Sequence, residues 1–211
     1  MLLEIHHHLL DRYGPQHWWP ADDPFEVIVG AILTQSAAWA NVEQALSNLK
    51  AATLLTPAAL RHLPLDRLVT LIRPCGYYNA KATKLKAFVE RLGSRHSDDL
   101  GQLFALDIAD LRQELLSIHG IGEETADSII LYAARKPVFV IDAYTRRIMG
   151  RLGLAPESDS YSAFQRLFAE NLPQEEGLFN EYHALLVRHA KEVCRKSPRC
   201  PLCCLRSICP Y

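Results

Sequence analysis

No stretch of this 211-residue chain is apolar for long enough to span a bilayer, and its first residues lack the charged-then-apolar layout of a secretory signal. A cytoplasmic protein without a membrane partner is expected. An excess of one charge is also missing: 23 Lys and Arg face 24 Asp and Glu, a net charge of −1 that argues against indiscriminate coating of nucleic acid. The chain has no low-complexity linker and no internal repeat. Strand-like sequence is confined to residues 138–141, too short and isolated to pair into a sheet. Widely spaced cysteines are lacking too. Five of the six lie between Cys194 and Cys209, too crowded to staple a core of this size by disulfides, so metal binding is the better reading.

What is present reads as helix almost throughout. Hydrophobic residues make up 49% of the chain, enough to bury a core for one domain or two small ones. Pro24 sits at a first-turn position after Asp22 and Asp23, and Phe25, Ile28, Ala31, Ile32 and Gln35 recur at helical spacing. Thr56 and Pro57 start another helix, Asn79 is expected to cap one carrying Leu85, Phe88, Val89 and Leu92, and Asp110 one carrying Leu111, Leu115 and Ile118. Residues 160–168 and 177–193 complete the set. His6, His7 and His8 continue a helical run over residues 2–10 and are not expected to bind metal. The expected fold class is all-α.

Three features carry chemistry. The apolar run ending at Ile118 passes into Gly120-Ile121-Gly122, and Glu123, Glu124, Thr125, Ala126 and Asp127 open a second helix at once. This helix-hairpin-helix exposes backbone amides at the positive end of a helix, which suits a phosphate, or a carbonyl-bound monovalent cation beside one. It would grip a nucleic-acid backbone without reading sequence. The second feature is Asp142, after the apolar residues 138–141, which reads both as a helix N-cap and as a candidate for chemistry. The third is the spacing C-x5-C-x2-C-x5-C formed by Cys194, Cys200, Cys203 and Cys209, with Cys204 as an extra thiol. One close pair with two distant outliers differs from the two knuckles of a structural zinc site. Around it charge is uneven: six Lys and Arg against two acids follow from Glu181, and Arg146, Arg147 and Arg151 follow Asp142, a basic face suited to phosphates.

The hairpin, the aspartate, Leu33-Thr34-Gln35-Ser36, Gly76-Tyr77-Tyr78-Asn79-Ala80-Lys81-Ala82 and the cysteine cluster occur in the order seen in the endonuclease III superfamily of base-excision DNA glycosylases, which the chain resembles from Trp18 to Cys209. Trp18-Trp19-Pro20, the aromatic Trp39 four residues after Gln35, residues 73–79 and the acidic residue at 124 resemble its endonuclease III-like 3-methyladenine DNA glycosylase branch.

The resemblance implies two lobes, a helical barrel over residues 21–134 and a second lobe of residues 1–20 with 135–211, and an active cleft between them. It implies a 4Fe-4S cluster on the four cysteines, although the family's first gap is usually one residue longer; zinc is the alternative, and Cys204 could replace Cys203. Asp142 would stabilise the sugar cation or orient water. Glu124 stands where bifunctional members carry the lysine that forms a Schiff base, so lyase activity is expected to be absent or weak. Gln35 would fill the space vacated by the extruded base, Trp39 with Trp18 or Trp19 would stack on that base, and Lys191 would lie near the pocket. Gly120, Gly122, Thr125, Lys81 and Arg146 are expected at the DNA backbone. The expected partner is double-stranded DNA with a damaged base, bound by a monomer that releases alkylated purines. The alternatives are an oxidised-pyrimidine or mismatch-adenine glycosylase, or a noncatalytic lesion binder.

Overall fold

The computed structural model describes residues 1–21 and 23–211; Asp22, read with Asp23 at a helix start, lies outside them. Among the described residues all regular structure is helical. In chain order the helices are α1 (Leu2–Tyr13), α2 (Pro24–Leu33), α3 (Trp39–Ala51), α4 (Pro57–His62), α5 (Leu65–Leu71), α6 (Tyr78–His96), α7 (Leu100–Phe104), α8 (Ile108–Leu116), α9 (Glu123–Ser128), α10 (Ala143–Arg151), α11 (Tyr161–Asn171) and α12 (Glu176–Glu192). None of them is long and apolar enough to cross a membrane. The chain divides into two compact units, residues 21–134 and residues 1–20 with 135–211.

The first unit is built on α2, in which every residue from Phe25 to Leu33 is buried. A helix apolar on all sides belongs in a core, and each large side chain so buried contributes about 1.5–3 kcal/mol. Asp23 starts it by accepting the Phe25 amide at 2.8 Å, with Pro24 in the first turn. Two expected caps are corrected. The helix after the Tyr-Tyr pair begins at Tyr78, not after Asn79, because Tyr77 turns the chain in a left-handed conformation (φ 45°) and leaves Asn79 inside the first turn. Asp107, not Asp110, caps α8, its carboxylate accepting the Asp110 amide at 2.8 Å. Across the hairpin, Arg112 on α8 donates through Nε and Nη2 to both oxygens of fully buried Asp127 on α9, at 2.8 and 3.2 Å. Without Arg112 the buried Asp127 carboxylate would lose its charged partner, so this clamp ties the two helices together.

The second unit has an aromatic core. Phe139 stacks on Phe168 with centroids 3.8 Å apart and meets Phe179 and Tyr182 edge-on at 5.3 and 5.8 Å. Residues 138–141 are buried and carry no regular structure, so they belong to no sheet. Side chains of α11 satisfy their backbone instead: Gln165 Nε2 donates to the Phe139 carbonyl at 3.0 Å, and the Ile141 amide donates to the Tyr161 hydroxyl oxygen at 3.2 Å. The β-like run thus serves as a buried rail ending at Asp142. Helix α1 packs on α12 through Ile5 and Leu9, and the Tyr182 hydroxyl donates to the Leu2 carbonyl at 2.9 Å. His6 is a core residue against the Tyr182 ring, its pKa lowered by burial and then by His7.

Candidate active site

Asp142 is the N-cap of α10, its Oδ1 accepting the Thr145 amide at 2.7 Å, and Oδ2 lies 3.6 Å from Nε2 of His183 on α12. The carboxylate is 12% exposed. Burial pushes its pKa up, but His183 and the Thr145 amide outweigh burial and hold it below the ordinary carboxylate value. The result is an anion kept ionised in a nearly dry setting at a helix N-terminus. The sequence reading missed His183; its only signal is a histidine on the apolar face that Phe179, Tyr182 and Leu186 give α12.

The hairpin of the first unit is sharper than its two glycines suggest. Gly120 is left-handed (φ 81°), and a Cβ there would lie 2.7 Å from both Cδ and Cε of Lys84 on α6. Gly122 has an extended φ of −94°, and a Cβ there would meet nothing within 4 Å. One glycine is required by the turn, while the other leaves room for a ligand to approach the backbone. Thr125 is turned inward: its hydroxyl accepts from Gln35 Nε2 at 3.0 Å. Glu124 is exposed on the first turn of α9.

Several residues expected at the DNA backbone are occupied elsewhere. Lys81 is corrected: it is buried, and its ammonium donates to the Cys75 carbonyl at 2.7 Å, with burial lowering its pKa. Arg147 and Arg151 do not extend a free basic face along α10 but hold the cysteine loop. Arg147 donates from Nε to the Cys194 carbonyl at 2.9 Å, and Arg151 from Nη1 to Cys194 Sγ at 3.2 Å and to the Arg195 carbonyl at 2.7 Å. Arg146 pairs with Asp159 at 2.7 Å, an exposed partner that contributes little and can be exchanged for a phosphate. Lys191 is exposed in the last turn of α12, three residues before Cys194.

The indoles of Trp18 and Trp19 are half-buried, with centroids 5.0 Å apart, and Trp39 is half-buried at the first turn of α3. Tyr77 stood in a family motif of the sequence but was assigned no role there. It is 75% exposed in its left-handed conformation, a flat ring held out to solvent beside Gly76.

The thiols of Cys194, Cys200, Cys203 and Cys209 form one electrostatic group. Burial raises the Cys203 pKa, the Leu205 amide opposes that, and Cys194, Cys209 and Cys200 raise it further. His189, held neutral by burial with its pKa down to about 4, lies with Nε2 3.5 Å from Cys203 Sγ while Nδ1 meets the Tyr13 hydroxyl at 2.9 Å. A phenol that donates to Nδ1 would leave the ring proton on Nε2, on the side of the sulfur. For Cys204, burial and then Cys203 raise the pKa to about 11, and its charged neighbour is Arg12. Four half-exposed thiols with N–H donors aimed at two of the sulfurs suit a thiolate-bound group. Among the described residues no three Cys, His, Asp or Glu side chains converge as one metal ion requires.

These features define an all-helical helix-hairpin-helix protein with an ionised carboxylate at the start of a helix. Residues 29–174 match the model of the HhH-GPD superfamily of base excision DNA repair proteins, and the chain belongs to that family as a DNA glycosylase. The match stops short of the cysteine loop. A Methanocaldococcus jannaschii protein carrying the name DNA repair glycosylase is 45% identical over 99% of this chain and 96% of its own length. An endonuclease III of Sulfolobus acidocaldarius is 31% identical over 89% of this chain and 82% of its own. Among solved structures, the H. pylori 3-methyladenine DNA glycosylase bound to 1,N6-ethenoadenine superposes with a TM-score of 0.80 at 26% identity, covering 90% of this chain and 97% of that one.

Proposed function

We propose that this chain is a monofunctional, monomeric glycosylase that hydrolyses the N-glycosidic bond of alkylated purines such as 3-methyladenine in double-stranded DNA. The observation that carries the reading is a pair of carboxylates: Asp142 is ionised and nearly buried, and position 124, where bifunctional relatives carry an amine, holds an exposed glutamate. As the base departs, positive charge develops on the sugar, and a fixed anion stabilises that charge or orients the attacking water. His183 keeps Asp142 oriented and charged. The nucleotide leaves the stack, Gln35 fills its place, and Trp39 and Trp18 or Trp19 offer flat surfaces on which the base stacks. Lys191 would lie near that pocket. The amides of Gly120, Gly122 and Thr125, with Arg146, hold backbone phosphates, and a monovalent cation on the hairpin carbonyls would add to that grip. Tyr77 is a further stacking surface for bases.

The substrate class follows from the base itself. Alkylation at a ring nitrogen makes the purine cationic, which improves it as a leaving group and strengthens its attraction to an indole face by about 0.5–2 kcal/mol. Similarity to the H. pylori enzyme, named a 3-methyladenine DNA glycosylase, supports the same class. Incubating the protein with methylated, oxidised and mismatched duplexes and identifying the free base by mass spectrometry decides the matter. Release of 3-methyladenine is expected; release of thymine glycol or of mismatched adenine instead sinks the alkylpurine reading, and binding with no release makes the chain a lesion binder.

Two variants sharpen it. Trp39→Ala is expected to slow methylated-purine excision about ten-fold, the equivalent of about 1.4 kcal/mol. Trp39→Leu keeps apolar bulk but removes the π face, so a leucine variant as fast as the parent removes the stacking argument. Borohydride is expected to trap no enzyme–DNA adduct, because a carboxylate forms no imine. Efficient trapping that vanishes in Lys191→Ala shows a lyase working from another lysine.

Cys194, Cys200, Cys203 and Cys209 would hold a 4Fe-4S cluster. Bound there, the cluster supplies a cross-link that braces the basic loop of Arg195, Lys196, Arg199 and Arg206 for contact with DNA.

A further inference from the structure

Gln35, the side chain assigned to the emptied space in the duplex, has both ends of its amide engaged within the first unit. Nε2 donates to the Gly120 carbonyl at 3.2 Å and to the Thr125 hydroxyl oxygen at 3.0 Å, and Oε1 accepts from the ammonium of Lys84. A primary amide keeps nearly the same shape when turned by 180°, but its partners here are not interchangeable. An ammonium only donates and a carbonyl only accepts, so a turned amide would face donor with donor and acceptor with acceptor. Lys84 reaches Gln35 from α6 by lying across Gly120, where a Cβ would collide with its methylenes. One turn earlier on the same helix, Lys81 directs its ammonium inward to the Cys75 carbonyl. The two lysines therefore have separate roles, and the proposed chemistry uses neither.

We propose that Lys84 is a positioning residue that fixes the orientation of the Gln35 amide and thereby sets which base the enzyme accepts opposite the lesion. The inference rests on the gap-filling role proposed for Gln35. Held in this way, the amide has both hydrogens directed at the protein and one lone pair of Oε1 left to offer. A lone pair suits an orphaned base with a ring N–H at its Watson–Crick edge, thymine or guanine. Adenine and cytosine place a ring acceptor at that central position and offer a donor only from the exocyclic amino group to one side. Thymine is the natural partner of an alkylated adenine.

The test needs no knowledge of the preferred lesion. Binding of the full-length protein is measured to four duplexes, each with one tetrahydrofuran abasic analogue opposite T, G, A or C. Thymine and guanine are expected to bind about ten-fold tighter than adenine and cytosine, the scale of one well-placed polar contact to a base edge. Lys84→Met keeps the methylene stem over Gly120 but lets the amide turn, so the four affinities should converge; Lys84→Arg should restore the spread. Gln35→Ala should also abolish the spread, and adding Lys84→Met to it should change the pattern no further, as expected of coupled residues. A spread compares duplexes on one protein, so lost stability does not create or erase it. If Lys84→Met weakens all four duplexes equally, the lysine is a phosphate contact and the proposal is overturned. A wild-type protein with no spread overturns it as well. If Gln35→Ala preserves the spread, the gap-filling role itself is wrong; if Gln35→Ala erases it and Lys84→Met does not, only the inference about Lys84 fails.

Discussion

Asp142→Asn is expected to cut base release by roughly 10²–10³-fold or more while leaving binding to lesion-containing duplex largely intact. Asparagine is itself a good N-cap, so the Thr145 amide keeps a partner and α10 keeps its start. What disappears is the charge. Stabilisation of a developing sugar cation exists only in the transition state, so its loss falls on the rate constant and not on ground-state affinity. Single-turnover excision with a gel-shift measurement on the same duplex separates the two, and near-normal turnover removes Asp142 from the chemistry. A pH series adds an independent check. The folded-state pKa of Asp142 lies below its unfolded value, so the carboxylate contributes stability that is fully present above the unfolded pKa, about 3.9. That contribution is lost as pH falls through the folded pKa. The melting-temperature difference between parent and Asn variant should therefore be constant from pH 7 to 5 and shrink only below about pH 4. A difference that shrinks between pH 7 and 6 would mean that a group other than Asp142 is responsible.

The legible parts of this site are those whose physics is local. A left-handed glycine between an apolar run and the helix that follows announces itself, as Gly120 does, and cysteine spacing survives any fold around it. Position along α6 was legible too, but Lys81 and Lys84 show its limit. Lys81 was expected at the DNA backbone and Lys84 was assigned no role, because which lysine turns inward depends on Cys75 presenting a carbonyl and which crosses the hairpin depends on Gly120 arriving from residues far along the chain. The same holds for Arg147 and Arg151, whose charge reads as a phosphate face until the loop after α12 folds back and supplies carbonyls and a sulfur. His183 was invisible because its partner is 41 residues earlier in sequence. Cap positions erred by a few residues where a left-handed Tyr77 replaced the polar side chain that normally starts a helix.

Cys203→Ala is expected to abolish a cluster that the wild-type protein, purified anaerobically, should carry as a brown colour with iron and sulfide near four per chain. Cys204→Ala should keep it, because the thiol coupled to Cys194, Cys200 and Cys209 is that of Cys203, whereas Cys204 is coupled to Cys203 and Arg12. The consequence reaches beyond the loop. Arg151 closes α10 by bonding to Cys194 Sγ and to the loop backbone, and its own carbonyl accepts from Cys209 Sγ at 3.5 Å. Asp142 opens the same helix. Releasing the loop therefore frees one end of the helix whose other end carries the carboxylate. A lost cross-link over a loop of this length costs about 2–4 kcal/mol, which lowers the melting temperature by roughly 5–15 °C in a chain of this size. Iron analysis, melting curves and DNA affinity of the two variants give the reading. Loss of iron in Cys204→Ala with retention in Cys203→Ala would exchange the ligand, and one zinc per chain with no visible absorption in fresh anaerobic protein would replace the cluster by a zinc site.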